Sequence, residues 1–170
     1  MPSIPQRGYA TRVFDNEIHS NNTENFAIPG TAVSGVPAGS GVVINSNDQV
    51  EVFNNRFSNN NTANIVISSY FSANFAGQRE LAAEFDPYPE EILIYDNTFE
   101  GGGTQPGLDY LTELKNALYG EQGAFPDIIW DGIVNPENKD QRAIICVDNG
   151  EAKLLSIDAG NQFANPGVDM

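Results

Sequence analysis

Apolar and polar residues alternate along this chain in short bursts, each closed by Asn, Asp or Ser. The burst Val50-Glu51-Val52-Phe53 stops at Asn54-Asn55 and resumes at Arg56-Phe57. The same phrase occurs earlier as Val13-Phe14-Asp15-Asn16-Glu17-Ile18 and later as Ile94-Tyr95-Asp96-Asn97-Thr98-Phe99, with a fainter copy at Cys146-Val147-Asp148-Asn149. Period-two alternation in β-branched and aromatic residues, bounded by turn formers, predicts short strands. With Phe14 set against Phe53, residues 11–28 and 50–67 share Val, Phe, Asn, Asn-Asn-Thr, Asn and a final Ile. Self-similarity at a fixed offset predicts a repeat architecture.

A second strand type is predicted to open each turn of the repeat: Asn25-Phe26-Ala27-Ile28, Gly41-Val42-Val43-Ile44, Asn64-Ile65-Val66-Ile67 and Asp127-Ile128-Ile129-Trp130. Gly41 to Asn64 is 23 residues, the length of one coil of a parallel β-helix whose coils stack about 4.8 Å apart. The predicted fold class is an all-β solenoid, a right-handed single-stranded parallel β-helix with one inserted α-helix. Alternation points Val42, Ile44, Val50, Val52 and Phe57 into the core. Asn16, Asn55, Asn97 and Asn149 would form an amide ladder at equivalent bends, and Phe14, Phe53 and Tyr95 an aromatic column one step outside it. The outward residues of the second strand type, Ala27, Val43, Val66 and Ile129, are all apolar. That face must be covered by insertions or dock a partner.

The ladder asparagines are spaced by 39, 42 and 52 residues, so segments are inserted between coils. Residues 29–40 read as a Gly/Pro-rich loop. Residues 69–89 read as a loop with a short helix around Gln78 to Phe85, and 134–142 as a polar turn. All three follow the second strand type and are expected to gather on one side. Residues 101–126 form a helical insertion: Leu108, Leu111, Leu114, Lys115 and Leu118 recur at helical spacing, and Gly120 ends the helix. Its leucine stripe packs on the solenoid in one reading and docks a partner in the other. A last strand is expected at Lys153 to Ile157. Residues 1–10 form an irregular lead-in and 158–170 a partly disordered tail, all within one domain spanning 1–170.

The chain has 170 residues, with 8 Lys and Arg against 23 Asp and Glu, a formal net charge of -15. Nucleic acid and anionic membrane surfaces are excluded as partners, and a polyanionic substrate is disfavoured without a local basic cluster. No apolar run reaches the ~18 residues of a membrane span, and the amino-terminal residues do not form a signal peptide. The single cysteine, Cys146, lies in the apolar run Ala143 to Val147, which favours a small buried hydrophobe over a reactive thiol. His19, the only histidine, stands where the second repeat has Ser58 and reads as turn variation rather than a general base. Asp127 and Asp131 flank one strand and read as solvated edge positions. No metal-binding motif and no cofactor motif is present.

The strings Val-x-Val-Phe-Asn-Asn-x-Phe and Gly-Val-Val-Ile resemble the parallel β-helix repeat proteins of the pectin-lyase-like superfamily, most closely uncharacterised bacterial members. The resemblance covers residues 11 to about 100 well and 127 to 158 less well. It implies a secreted or periplasmic protein of which this chain is a C-terminal part, with the first coil capped by upstream coils or by self-association. Its members include lyases, hydrolases, epimerases and non-enzymes. The expected function is therefore a non-catalytic scaffold that binds polysaccharide through loops rich in Tyr, Asn and Asp. The alternative is a polysaccharide lyase or C5-epimerase acting on uronate polymers, completed by upstream coils. In that alternative the loop residues Tyr70, Arg79, Asp86, Tyr88 and Arg142 would line the substrate, and they are the candidate substrate-binding residues. The stretch Phe85-Asp86-Pro87-Tyr88-Pro89-Glu90 is similar to the Asp-Pro-His-Glu stretch of alginate epimerases, but Tyr88 stands where that family has histidine. A Pro-locked re-entry into the next strand accounts for the string equally well.

Overall fold

The computed structural model describes residues 8–72, 83–138 and 145–169. Among the described residues twelve strands, numbered in chain order, form three sheets. The first sheet holds, in spatial order, β1 (Gly8–Phe14), β4 (Asn47–Phe53), β7 (Ile92–Tyr95) and β10 (Ile145–Asp148). The second holds β2 (Glu17–His19), β5 (Arg56–Asn60) and β8 (Thr98–Gly102). The third runs β3 (Ser40–Asn45), β6 (Ala63–Ser68), β9 (Ile128–Trp130), β11 (Leu154–Ser156) and β12 (Gly167–Asp169). Every neighbouring pair is parallel except β11 with β12, which is antiparallel. From β1 to β8 the chain visits first, second and third sheets in fixed rotation. Among the described residues the protein is thus mostly β, with parallel sheets and one α-helix, and no helix is long and apolar enough to cross a membrane.

The repeated phrase is the bend from first to second sheet. Asp15, Asn54 and Asp96 each take left-handed backbone (φ 57°, 52° and 52°), a conformation that short polar side chains tolerate best. The next residue in each copy is the ladder asparagine. Asn16 Nδ2 donates to Asn55 Oδ1 at 2.9 Å, Asn55 Nδ2 to Asn97 Oδ1 at 3.0 Å, and Asn97 Nδ2 to Asn149 Oδ1 at 3.1 Å. Each Oδ1 also accepts the backbone N–H of the asparagine one strand before it. The ladder so satisfies bend groups that no sheet reaches. Outside it, Phe14, Phe53 and Tyr95 stack with centroids 5.1 and 4.9 Å apart and planes within 7°.

The inward pattern holds. Val50, Val52, Ile94, Phe57, Ile44, Ile65, Ile67 and Ile128 form one core drawn from all three sheets, each buried side chain contributing roughly 1.5–3 kcal/mol. Gly41 is required in β3 because a Cβ there would strike Asn64 O of β6. The helix α1 (Asp109–Tyr119) buries Leu111, half-buries Leu108 and Leu114, and leaves Leu118 exposed. Lys115 is buried, its ammonium donating to Gly120 O at 3.2 Å and Glu121 O at 2.7 Å, where the helix end is electronegative. Gly120 closes the helix at φ 77°.

Besides β1 starting at Gly8, inside the segment 1–10 expected to be irregular, three expectations of strand, tail and cysteine placement fail for identifiable reasons. Asn25-Phe26-Ala27-Ile28 is not a strand, and Phe26 is 92% and Ile28 75% exposed. Between β2 and β4 the third sheet offers one place, and Gly41 to Asn45, separated from β4 by Ser46 alone, fills it. Second, the tail is structured: β12 returns to pair Val168 with Leu155. Third, Cys146 is exposed. In the fourth copy Val147 pairs with Ile94 and Asp148 with Tyr95, so the bend is one residue shorter than the alignment implied. Val147, not Cys146, therefore packs on the core. The helix expected around Gln78 to Phe85 falls largely outside the described residues.

Candidate functional site

Alternation along β9 sends Ile128 to the core and Ile129 to the opposite face of the third sheet. There Ile129 joins Ala63, Leu155, Ile157, Phe125 and Leu111 of α1 in a second apolar cluster. The helical insertion and the carboxy-terminal turn thus cover part of the outward face, whereas the sequence reading assigns that cover to the gathered loops 29–40, 69–89 and 134–142 or to a partner. Among the described residues the cover is incomplete. Over Val43 and Val66 a cleft of about 740 Å³ stays open, floored also by Ile129 and walled by the 34–37 loop, the start of α1 and the turn at Ile157 to Phe163. A volume in this range suits a small organic ligand or a short saccharide.

Aromatic and polar groups stand at its edges. Tyr110, from the first turn of α1, stacks on Phe163 with centroids 5.7 Å apart and planes 24° apart. Desolvation raises the Tyr110 pKa above its ordinary value, and the nearby Asp131 carboxylate adds to the shift. Tyr110 is thereby a neutral hydroxyl donor across the physiological range rather than a base. Asp131 is buried, contrary to the solvated position expected of it. Its Oδ2 accepts Ser69 N–H at 2.6 Å and its Oδ1 accepts Ile133 N–H at 3.0 Å, pinning the exits of β6 and β9 to each other. Ser34, Ser68 and Ser72 supply hydroxyls to the lining. Among the described lining residues there is no Lys, Arg or His.

No family model, curated protein or solved structure matches this chain.

Of the residues singled out from sequence, Tyr70, Asp86 and Tyr88 come together beside the cleft without lining it. Tyr70 meets Phe85 edge-on at 5.3 Å and Phe71 at 6.3 Å, and Phe71 lies 5.6 Å from Tyr88. Asp86 Oδ1 accepts Tyr88 N–H, while Pro87 O accepts Tyr70 N–H and the Ser46 hydroxyl. This is the Pro-locked re-entry into β7. Only Phe71 of this aromatic group reaches the cleft. Arg79 and Arg142 lie outside the described residues. His19 sits exposed on β2, opposite Ser58 on the second sheet.

Asp86, a candidate from the sequence, meets Asp48 and Glu90, a grouping the sequence did not suggest: the three carboxylates bring oxygens within 4.8 Å of one another. Each also accepts a hydrogen bond within the fold: Asp86 Oδ1 from Tyr88 N–H in the local turn, Asp48 Oδ1 from Glu90 N–H, and Glu90 Oε1 from the Asn138 amide. The available signal was the offset of 42 that relates Asp48 to Glu90 and also relates Asn55 to Asn97. Tyr110 and Phe163 carried no comparable signal, because their pairing joins an insertion to the tail.

Proposed function

We propose that this chain is a stretch of right-handed, single-stranded parallel β-helix of the pectin-lyase-like kind. In this reading it is a non-catalytic scaffold of a secreted or periplasmic protein, and it binds a neutral saccharide in the cleft over its third sheet. Rotation through three parallel sheets, with one amide ladder running through the repeated bend, supports the stacked architecture. The observation that carries the binding reading is the cleft itself: an aliphatic floor with the stacked Tyr110–Phe163 pair and several hydroxyls at its rim. Sugars present apolar ring faces and a girdle of hydroxyls, which such a surface complements.

Uronate lyase or epimerase chemistry needs a free base and a cation facing the enolate-like intermediate. The carboxylate in the described lining, Asp131, has both oxygens bonded to backbone amides, and Tyr110 is held neutral. The net charge of -15 repels a polyuronate and leaves neutral glycans favoured. Calorimetric titration with neutral gluco-, xylo-, manno- and galacto-oligosaccharides should give saturable binding to one class. Tyr110→Ala should weaken it about tenfold, or ~1.4 kcal/mol, with unchanged far-ultraviolet dichroism. Absence of binding to every class, or release of unsaturated ultraviolet-absorbing product from alginate or pectate, would overturn the proposal.

A further inference from the structure

The two ends of the stacked sheets are chemically unlike. At the β10 end the ladder is closed: Asn149 Nδ2 turns back to Asn97 O at 2.8 Å, and antiparallel β12 covers the edge of β11. At the β1 end it is open. Within the ladder each Oδ1 receives both a backbone N–H and an Nδ2–H from the strand before: Asn55 Oδ1 from Asn16, Asn97 Oδ1 from Asn55, Asn149 Oδ1 from Asn97. A second ladder repeats this at Asn60 Oδ1, which takes both donors from Asn21. Asn16 Oδ1 and Asn21 Oδ1 receive no such pair from any described residue.

The apolar interior is equally unfinished there. Val13, Ile18 and Val42 are partly exposed, whereas Val52, Phe57 and Ile65, their partners one strand further in, are fully buried. Phe14 stacks on Phe53 through one face and is 47% exposed. Of the 10 large apolar residues exposed among the described ones, six belong to β1, β3 or the β2–β3 connection: Tyr9, Phe14, Phe26, Ile28, Val33 and Val43. Neither β1 nor β2 carries a proline or lysine of the sort that protects sheet edges, and the one cation on β1, Arg12, is paired with Glu51 at 2.7 Å.

We infer that this end is a docking edge for an extended polypeptide segment that adds parallel to β1, continuing the grammar of β1 and β2. The inference rests on the stacked architecture proposed above. The open acceptors specify the segment: two asparagines five positions apart, as Asn16 is from Asn21 and Asn55 from Asn60, with an aromatic residue two positions before the first. Main-chain bonds to the edge supply affinity, and the two amides and the aromatic ring supply register and direction. A second copy arriving head to head about a two-fold axis does not fit, because it would set Oδ1 acceptors against Oδ1 acceptors.

The test uses the full chain and a fluorescein-labelled peptide of residues 48–60, which carries Phe53, Asn55 and Asn60. Anisotropy should show saturable binding. The same peptide with Asn55→Ala and Asn60→Ala, or with its sequence reversed, should bind at least tenfold more weakly. Amide exchange should slow in residues 8–20 on peptide binding and stay unchanged in β10 and β12. The chain variant Asn16→Ala with Asn21→Ala should lose the same binding, and the substituted peptide makes the measurement on an unaltered protein. The inference is overturned by equal binding of the three peptides, by no binding, by protection at β10, or by a concentration-dependent dimer whose formation protects β1 without peptide. If β4 and β7 of the free chain exchange slowly together, such a result leaves the stacked architecture standing; if they do not, both fall.

Discussion

Replacing Asn55 by alanine isolates what the ladder contributes. The side chain is 3% exposed and joins three strands. Its Nδ2 donates to Val13 O and Phe53 O, both at 2.9 Å, and to Asn97 Oδ1, while its Oδ1 accepts N–H and Nδ2–H from Asn16. Alanine leaves Val13 O and both Asn16 donors without these partners, and Asn97 Oδ1 keeps only the Asn55 backbone N–H. At ~1 kcal/mol for each net hydrogen bond, with a further 1–3 kcal/mol where a group is left buried and unpaired, the loss comes to about 3–5 kcal/mol. That is a large part of the ~5–15 kcal/mol by which a domain is stable. Asn16→Ala, at the exposed end, removes the Nδ2 donor to Asn55 Oδ1 and keeps the backbone N–H, and should cost about 1 kcal/mol or less. Urea unfolding followed by dichroism and tyrosine fluorescence, with the slope checked for constancy, reads both values. If the two variants lose the same stability, the ladder is not an internal satisfaction device and its role in fixing the bend is refuted.

Other outcomes follow from single positions. Gln49 holds φ 53° on an exposed site, and Gln49→Gly should raise stability by ~0.5–1 kcal/mol, because the left-handed cost to a side chain exceeds glycine's added chain entropy; a lower melting temperature would contradict this. Burial raises the Asp127 carboxyl above its ordinary 3.8, with the Asn64 amide at 2.8 Å partly opposing. The folded state therefore holds that proton more tightly, so stability falls as pH rises from 3.8 through the folded pKa. Asp127→Asn should stabilise the protein at pH 7, with the gain gone below about pH 3.8; a gain independent of pH would point elsewhere. Cys146, being exposed, should react with a disulfide reagent in the native protein within about tenfold of the unfolded-chain rate, and full protection would contradict its placement.

Much of the fold was legible because its strands satisfy each other through identical residues. The bend phrase names the ladder and the aromatic column directly, and inward alternation at Val50, Val52 and Phe57 needed no further information. Legibility stopped where two segments compete for one place or where a count changes by one. Asn25 to Ile28 and Gly41 to Ile44 are equally strand-like, and only the short link from Asn45 to β4 decides between them. At Cys146 the shortened bend reverses which residue faces in. The cleft was the least legible. It was foreseen as an apolar face awaiting cover, but Tyr110 and Phe163 meet only after an insertion and a tail have folded over that face, and no local pattern records such a meeting. The tyrosines chosen from sequence, Tyr70 and Tyr88, lie beside the cleft because their loop leaves the third sheet, and they pack on Phe85 and Phe71 instead of entering it.

The ladder distances also bear on how the connections can vary. Its three steps bridge 39, 42 and 52 residues of chain with side-chain bonds of 2.9, 3.0 and 3.1 Å. The join is therefore indifferent to how much polypeptide is spliced between successive bends. Loop closure costs only ~0.6 kcal/mol for each doubling of length, little beside what one buried asparagine supplies. The 134–138 turn and the helix-bearing segment are in this sense interchangeable cassettes on a fixed ruler. A foreign recognition loop grafted between β8 and β9 should leave the spacing of the ruler untouched, so that binding specificity could be rewritten without rewriting the frame.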